Sequence, residues 1–345
     1  MKKILALVLA ALFCLSLCAC GGSNTNSLLN QLQNELQNEL QNGIENGGNS
    51  NTVDTAPLDV ARLLTLGEQN SVADYADFTL FKVSTTKQIT GSIGGGLYYE
   101  HDVPGETYVD VILDWTNTSS ETISNRELLV AYAKGAGEYR SCLYAVETDN
   151  ATDVSQFEDV APLSKIRLHC GISVPETETS VTIVLEIKGE KFTYEYNMGQ
   201  TVSNATPISV GQTVEVADFA TMVFNGTEYT DDLMPSNTSG YYTHYPIDDP
   251  ANTYLIVKFD ITNYQTAARE CDTFLGVKAT YMDKYTYIGN VVVEDEDGEG
   301  FSAYEDIAPL TTRHFYYMIK VPKTVSSNPV SLTVSFNGQE YTYSA

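Results

Sequence analysis

The feature that most constrains the fold of this chain is an internal duplication. Two related segments recur about 144 to 149 residues apart, with their motifs in the same order. The clearest match is Glu158–Leu163 against Glu305–Leu310, and in both copies a Val-Pro pair follows at the same spacing, at Val174–Pro175 and Val321–Pro322. Several motifs matched in one order do not arise by chance. The sequence therefore predicts two copies of one folding unit.

Inside each copy, apolar residues alternate with polar ones. This period of two is typical of half-buried β-strands, because successive side chains point to opposite faces. The dipeptides Lys188–Gly189 and Asn337–Gly338 predict two-residue hairpin turns, whose central positions need a positive φ. The alternating residues are Val109, Val111, Leu113, Trp115, Val181, Ile183, Leu185 and Ile187 in the first copy, and Leu255, Val257, Phe259, Ile261, Val330, Leu332, Val334 and Phe336 in the second.

Short strands, turn signals and the lack of a long amphipathic helix in either copy predict an all-β fold. We expect two tandem immunoglobulin-like antiparallel β-sandwich domains, residues 58–200 and 201–345, with a linker within residues 197–207. Residues 1–19 precede them as a lipoprotein signal peptide, and residues 20–57, rich in Asn, Gln, Gly and Ser, as a flexible tether. The alternative for the tether is a short self-associating helix, because its leucines recur every four residues.

The N-terminus has the features of an export signal. Lys2 and Lys3 precede the apolar run Ile4–Leu17, which has 14 residues and is too short for a bilayer that needs about 20. The residues that end this run, Leu-Cys-Ala-Cys, resemble a bacterial lipobox, which implies that Cys20 is lipidated and becomes the mature N-terminus. Each buried CH₂ of an acyl chain contributes about 0.8 kcal/mol. We therefore expect an extracytoplasmic protein held on the membrane by its lipid.

The repeated motifs also resemble a known family. The opening Leu66–Glu68, the strands Tyr108–Asn117 and Tyr254–Asn263, and the later Ala-Pro-Leu and Val-Pro pattern are similar to telokin-like immunoglobulin-fold domains of uncharacterised Gram-positive lipoproteins. The superfamily includes a secreted mycobacterial immunoprotective antigen. The resemblance covers both copies and implies the fold and an extracytoplasmic place, but it brings no catalytic residues. The paired core cysteines of antibody domains are absent from the second copy.

The charge balance restricts the partners. The chain has 45 acidic and 19 basic side chains, a formal net charge of −26. Nucleic-acid binding needs clustered Lys and Arg that displace counterions from phosphates, so we expect no nucleic-acid partner. A charged partner should be cationic.

Two cysteines of the first copy form a candidate disulfide. Cys142 and Cys170 both occupy inward positions of predicted strands, and a bridge would close a loop of about 29 residues. Two free thiols packed in the core are the alternative. The equivalent residues of the second copy are Gly289 and Tyr317, so the fold does not require cysteine at either position.

The densest acidic cluster lies in the second copy. Asp295, Asp297 and Glu299 offer oxygen ligands, which predict a weak calcium site. A solvated acidic loop is the alternative, because Gly298 does not fit the spacing of an EF-hand loop. No other cofactor is indicated, since the four histidines lack metal-ligand spacing and are expected on the surface or on edge strands.

Five tyrosines form the last candidate site. They precede the long strand of each copy, and aromatic rings with polar tips suit the recognition of sugars or proteins. The alternative is that these tyrosines cover the end of the sandwich. They are Tyr98, Tyr99, Tyr241, Tyr242 and Tyr245.

No nucleophile elbow, phosphate loop or dinucleotide fingerprint is present in the sequence. We therefore expect a non-enzymatic binding module that engages a protein, a peptide or a wall glycan, in which duplication raises avidity. One alternative is a structural spacer or accessory subunit of an envelope complex. Another is an envelope hydrolase that uses a pair of carboxylates.

Overall fold

The computed structural model describes residues 61–148, 151–282 and 284–345. The predicted signal peptide, Cys20 and the predicted tether lie outside the described residues. Residues 59–345 belong to one compact unit. Helical structure in the described ranges is limited to a 3₁₀ turn at Cys271–Thr273 and one short helix, α1, at Lys323–Ser326. Neither has the length or apolar character to cross a membrane. The predicted all-β sandwich fold is confirmed.

The strands fall into a first half, residues 61–203, and a second half, residues 206–345. Those of the first half are β1 Arg62–Leu63, β2 Gln69–Val72, β3 Ala76–Thr86, β4 Gln88–Ile89, β5 Tyr99–Glu100, β6 Glu106–Asn117, β7 Ile123–Ser124, β8 Val130–Lys134, β9 Glu138–Glu147, β10 Val154–Ser155, β11 Asp159–Val160, β12 Lys165–Pro175, β13 Ser180–Ile187, β14 Glu190–Asn197 and β15 Thr201–Ser203. Those of the second half are β16 Thr206–Pro207, β17 Thr213–Val216, β18 Ala220–Thr230, β19 Asp232–Leu233, β20 Tyr245–Pro246, β21 Asn252–Asn263, β22 Arg269–Glu270, β23 Leu275–Tyr281, β24 Tyr285–Ile288, β25 Asn290–Glu294, β26 Phe301–Ser302, β27 Asp306–Ile307, β28 Thr312–Pro322, β29 Val330–Phe336 and β30 Gln339–Ser344.

In the first half, the main sheet runs β1-β14-β13-β8-β9-β12-β6-β3-β15, with β10 beside β9 and β2 beside β3. Strand β9 pairs with β8 at its start and with β12 at its end, so it joins the two layers of the sandwich. In the second half, the layers are separate sheets, β16-β30-β29-β23-β24 and β17-β18-β21-β28-β25-β26. The pairings therefore follow the same order in both halves.

The main difference between the halves is a break at Gly289, which separates β24 from β25. A Cβ atom at Gly289 would lie 1.8 Å from the carbonyl oxygen of Met318, so only glycine fits there. The chain changes layers at this point, whereas β9 does so as one continuous strand.

The connection between the halves is shorter than the sequence predicts. Strand β15 pairs antiparallel with β3, and β16 pairs in parallel with β30. Thr201–Ser203 therefore lie with the first half, although the predicted second domain begins at residue 201. The reason is that the edge of β3 accepts the chain as it leaves β14. Only residues 204–205 separate the two strands.

Each half has its own apolar core. Trp115, Phe78 and Phe192 are buried in the first, and Phe259 and Phe336 in the second. The alternating residues of β6, β13, β21 and β29 are buried, as predicted. A smaller apolar cluster lies on the outer face of β6 and β9, and another on the outer face of β21, β25 and β28. We call these the outer clusters.

The predicted hairpin turns are also confirmed. Ile187 pairs with Glu190, which leaves a two-residue loop, and Phe336 pairs with Gln339 in the same way. Both central residues of each loop have a positive φ, 48° and 86° in the first and 49° and 71° in the second. These angles are those of the turn type that matches strand twist.

Candidate functional site

Two of the five candidate tyrosines pack inward. Tyr99 pairs with Ile89 across β4 and β5, and Tyr245 pairs with Leu233 across β19 and β20. Both tyrosines are half-buried against the outer cluster of their half, so they occupy equivalent positions. Their rings cover the outer faces of the sheets.

The other three tyrosines are more accessible. Tyr98 is 48% exposed and Tyr241 is 88% exposed. Tyr242 is partly exposed, and its ring centroid lies 5.7 Å from that of His244. The five side chains therefore do not form one continuous aromatic surface, and Tyr241 is the most available for contact.

The candidate disulfide partners are both free thiols. The pairing of β12 with β9 shifts register at Gly171, which leaves Cys142 as the extra residue of a β-bulge. Cys142 is therefore exposed and lies near Tyr108 on the outer side, whereas Cys170 is buried in the core. The expectation that both cysteines point inward was wrong for Cys142, because a bulge changes the alternation of faces.

The acidic loop joins β25 to β26. Its carboxylates turn to different partners, because Asp297 accepts a hydrogen bond from the amide of Glu299, and Glu299 accepts one from Asn237. Burial, with Asp297 nearby, raises the pKa of Asp295. In the described part of the chain, no three His, Cys, Asp or Glu side chains are arranged to hold a metal ion.

Two of the four histidines lie inside the protein, contrary to the surface positions expected. His101 is 8% exposed, and its Nε2 lies 2.7 Å from the hydroxyl of Ser173. His169 is 1% exposed on the outer face of β12. The segment from β4 to β5 covers this face, and Ile89 packs so close to Gly171 that a Cβ there would lie 2.4 Å from its methyl group. His244 and His314 are exposed.

The repeated Thr-Asn motif holds a loop in each half. Asn117 is fully buried at the end of β6, and its Nδ2 donates to the carbonyls of Glu121 and Val160, both at 2.8 Å. Asn263 at the end of β21 donates in the same way to Ala267 and Ile307, at 3.0 and 2.8 Å. The backbone of each asparagine also accepts from the leucine of the Ala-Pro-Leu motif.

That motif forms an unusual turn in both halves. The amide of Ser164 donates to Ala161, and Leu163, the third residue of the turn, has a φ of 63°. In the second half, Thr311 donates to Ala308 and the φ of Leu310 is 61°. A turn with proline second and a positive φ third favours glycine or asparagine at the third position. Leucine there costs about 1–2 kcal/mol.

These turns belong to two protruding segments, Phe157–Leu163 and Tyr304–Leu310, which we call the tip segments. Val160 and Ile307 anchor them and are each 1% exposed. The large apolar side chains on either side point to solvent. They are Phe157 at 80%, Leu163 at 78%, Tyr304 at 83% and Leu310 at 78% exposed.

A second feature is a buried group of charges on the outer face of the first half. His169 Nδ1 lies 3.0 Å from Asp110 Oδ2, and its Nε2 lies 3.7 Å from Glu147 Oε2. Arg167 donates from Nε to Asp114 at 2.9 Å, and its guanidinium stacks 3.7 Å from the centre of the Phe81 ring. The side chains of Arg167, His169 and Glu147 are 6%, 1% and 4% exposed.

Two residues of the second half complete this group. Glu340 on β30 accepts from Arg167 Nη1 at 3.3 Å, and its side chain is 2% exposed. Lys278 on β23 donates to the carbonyl of Ser92. We call Asp110, Glu147, Arg167, His169, Lys278 and Glu340 the ionic junction.

No protein-family model matches the chain, and no curated protein matches it. Among solved structures, it is similar to an uncharacterized β-sandwich protein from Clostridium difficile 630, with 30% sequence identity and a TM-score of 0.38. The match covers 41% of this chain and 94% of that chain.

The pKa values at the junction follow from burial and charge. Burial by itself lowers the pKa of His169, but the Asp110 carboxylate, helped by Glu147, raises it to about 9. For Glu147, burial by itself raises the pKa. The cations His169 and Arg167 outweigh this effect and hold the pKa of Glu147 below its ordinary value. Burial, with Lys82 nearby, lowers the pKa of Lys278 to about 8. His169 is therefore mainly charged at neutral pH.

Sequence reasoning missed both the tip segments and the ionic junction. The polar positions Asp110, Arg167 and His169 alternate with apolar ones, which is also the pattern of a solvated strand face. The signal that could have indicated burial is Gly171 on that same face, because glycine within a strand marks a close approach of another segment. The tip segments could have been found from the repeated leucine after proline.

Proposed function

We propose that this chain is a lipid-anchored protein of the bacterial surface whose two tandem telokin-like domains form a non-enzymatic binding module. The lipobox at Cys20 supports the anchor and the extracytoplasmic place. The repeated motifs and the equal order of strand pairings support two domains of one type. The binding partner is a protein or peptide.

The exposed tip segments are the observation that carries this proposal. Leu163 and Leu310 are unfavourable for the stability of the fold in two ways. Each has a positive φ, and each exposes most of its apolar side chain to water. Phe157 and Tyr304 are exposed at equivalent places. Folding alone favours glycine or asparagine in these turns, so the apolar side chains in both halves serve contact with another molecule.

The chemistry of the tip segments favours a protein over a glycan. Leucine offers no flat face to stack on a sugar ring and no hydrogen bond, whereas it fills an apolar pocket of a protein well. Two equivalent tips on one chain also suit a partner with repeated sites, because the second contact is intramolecular. The acidic net charge of −26 favours a partner with basic residues around its pocket.

A capture experiment tests this function. The mature ectodomain, with its N-terminal cysteine immobilised, is exposed to solubilised surface proteins of its own cells, and bound proteins are quantified by mass spectrometry. The tip variant carries Phe157→Ser, Leu163→Asn, Tyr304→Ser and Leu310→Asn. We expect the tip variant to capture at least tenfold less of the specifically bound protein than the wild type does. Its melting temperature should not fall.

The matched control is Tyr241→Ala with Tyr242→Ala, which removes exposed aromatic area elsewhere. We expect this control to capture like the wild type. If the tyrosine variant loses capture and the tip variant does not, the binding surface lies at the tyrosine loop. Equal capture by all three proteins would support a structural spacer instead.

The anchor is tested separately. Cys20→Ala should move the protein from the membrane fraction to the medium, because the acyl chains supply the attachment. Unchanged retention in the membrane fraction would contradict the lipid anchor.

A further inference from the structure

The first half contacts the second through side chains that are costly to bury. Arg167 reaches Glu340 across the boundary, and Lys278 reaches the carbonyl of Ser92 in the other direction. An apolar contact lies beside them, because Ile288 sits where a side chain on Gly95 would be. Burying a charge costs free energy unless well-placed partners replace the water around it. These contacts therefore favour one particular arrangement of the two halves.

The partner of Lys278 is itself held firmly. Glu147 accepts from the amide of Ser92 at 2.6 Å and from its hydroxyl at 3.1 Å. The same carboxylate faces Arg167 at 4.0 Å and His169 at 3.7 Å. The carbonyl that receives Lys278 is therefore part of the ionic junction.

The second half has the equivalent loop contact, but its buried arginine, Arg313, lies at a different position of the strand and pairs with Glu305. Ser236 donates its amide to Glu294 at 2.6 Å, as Ser92 does to Glu147. In register, however, the positions of Arg167 and His169 are taken by His314 and Tyr316, and the side chain of His314 is 64% exposed. The two halves thus differ where the first meets the second. Cations at the positions of Arg167 and His169 are therefore not required by the fold.

We propose that the ionic junction locks the two halves into one fixed arrangement. Without it, residues 204–205 alone would connect β15 to β16, and so short a connection leaves rotation possible. Four acidic groups near the boundary, Asp110, Asp114, Glu147 and Glu340, face four basic ones, Lys82, Arg167, His169 and Lys278. The consequence for binding, a fixed spacing of the tip segments, rests on the proposed function, but the lock does not.

The test removes the contribution of the second half and leaves the first-half network intact. In the full mature chain with Cys20→Ala, Lys278→Met and Glu340→Gln are introduced together. Small-angle X-ray scattering should show a larger radius of gyration. A single arrangement of the two halves should no longer fit the scattering profile, so that several are needed. Hydrogen exchange at the amide of Ser92 should become at least tenfold faster.

The control variant carries Lys258→Met and Glu228→Gln, a pair 3.0 Å apart within the second half. It should leave scattering and exchange as in the wild type. Lys278→Met alone, which keeps the Arg167 and Glu340 pair, serves if the double variant does not fold, and it should accelerate exchange at Ser92 less strongly. Near-ultraviolet circular dichroism identifies a variant that has lost its cores.

The lock is overturned if the double variant scatters and exchanges like the wild type. It is also overturned if the wild-type profile already requires several arrangements. Neither measurement involves a binding partner, so a failure of the proposed function would leave these results unaffected.

Discussion

At the scale of single residues, His169 shows how a buried charge links stability to pH. Its pKa is about 6.5 in an unfolded chain and about 9 in the folded protein. A pKa that folding raises stabilises the protein fully below the unfolded value, and this contribution is lost as the pH rises through the folded value. The difference corresponds to about 3 kcal/mol at most.

We therefore expect His169→Gln to lower the free energy of unfolding most at pH 6 and least at pH 9.5. Urea unfolding of both proteins across this range measures the difference. Folding lowers the pKa of Lys278, so its contribution to the free energy of unfolding increases above pH 8, opposite to that of His169. Lys278 is present in both proteins, so its contribution largely cancels in the difference between them. A difference that stays constant with pH would contradict the raised pKa of His169.

Leu163 and Leu310 give a second prediction at this scale. Asparagine tolerates a positive φ better than leucine does, so Leu163→Asn and Leu310→Asn should each raise the free energy of unfolding by about 1 kcal/mol. Chemical denaturation measures this. Leu63→Asn is the control, because Leu63 is 73% exposed and its φ is not positive, so a change near zero is expected. Destabilisation by the tip substitutions would show that the leucines serve the fold.

At the scale of elements, strands β6 and β21 each end in a buried asparagine that holds the following loop. Replacing Asn117 by Ala leaves the carbonyls of Glu121 and Val160 without their donor. We expect a loss of about 3 kcal/mol in the free energy of unfolding, because buried polar groups without partners are costly. Asn263→Ala should cost a similar amount.

Thermal unfolding followed by circular dichroism checks the asparagine prediction. Asn328→Ala, in the turn after α1 where the side chain is only half-buried, is the control and should change stability little. If Asn117→Ala and Asn263→Ala each lower the free energy of unfolding by less than about 1 kcal/mol, the loops keep their structure without these side chains.

Much of the element scale could be predicted from sequence. The alternation in β6 and the turn at Lys188–Gly189 depend only on local chemistry, and both are as expected. The bulge at Cys142 could not be predicted, because it depends on how β9 crosses between layers. The burial of His169 could not be predicted either, since it requires a segment distant in sequence to cover the strand. The Ala-Pro-Leu motif is evident as a repeat in the sequence, but the exposure of its leucine depends on the tertiary structure.

At the scale of the whole molecule, we propose that a lipid anchor, a lock between the two halves and two equivalent tip segments act together. In this proposal the lock would keep the tip segments at one spacing, and the lipid anchor would hold them near the membrane. The net charge of −26 keeps the surfaces soluble and disfavours contact with anionic lipid. Two tips on a rigid body should bind a partner with repeated sites more tightly than either tip alone.

We propose that both tip segments bind the partner at once, and a dissociation measurement tests this. The captured partner protein is immobilised, and the dwell time of the wild type on it is compared with those of two variants. Each variant is altered in one half only. Those variants are Phe157→Ser with Leu163→Asn, and Tyr304→Ser with Leu310→Asn. We expect each variant to shorten the dwell time at least tenfold, because one contact remains where two existed. If both variants dwell as long as the wild type, the two tip segments do not bind together.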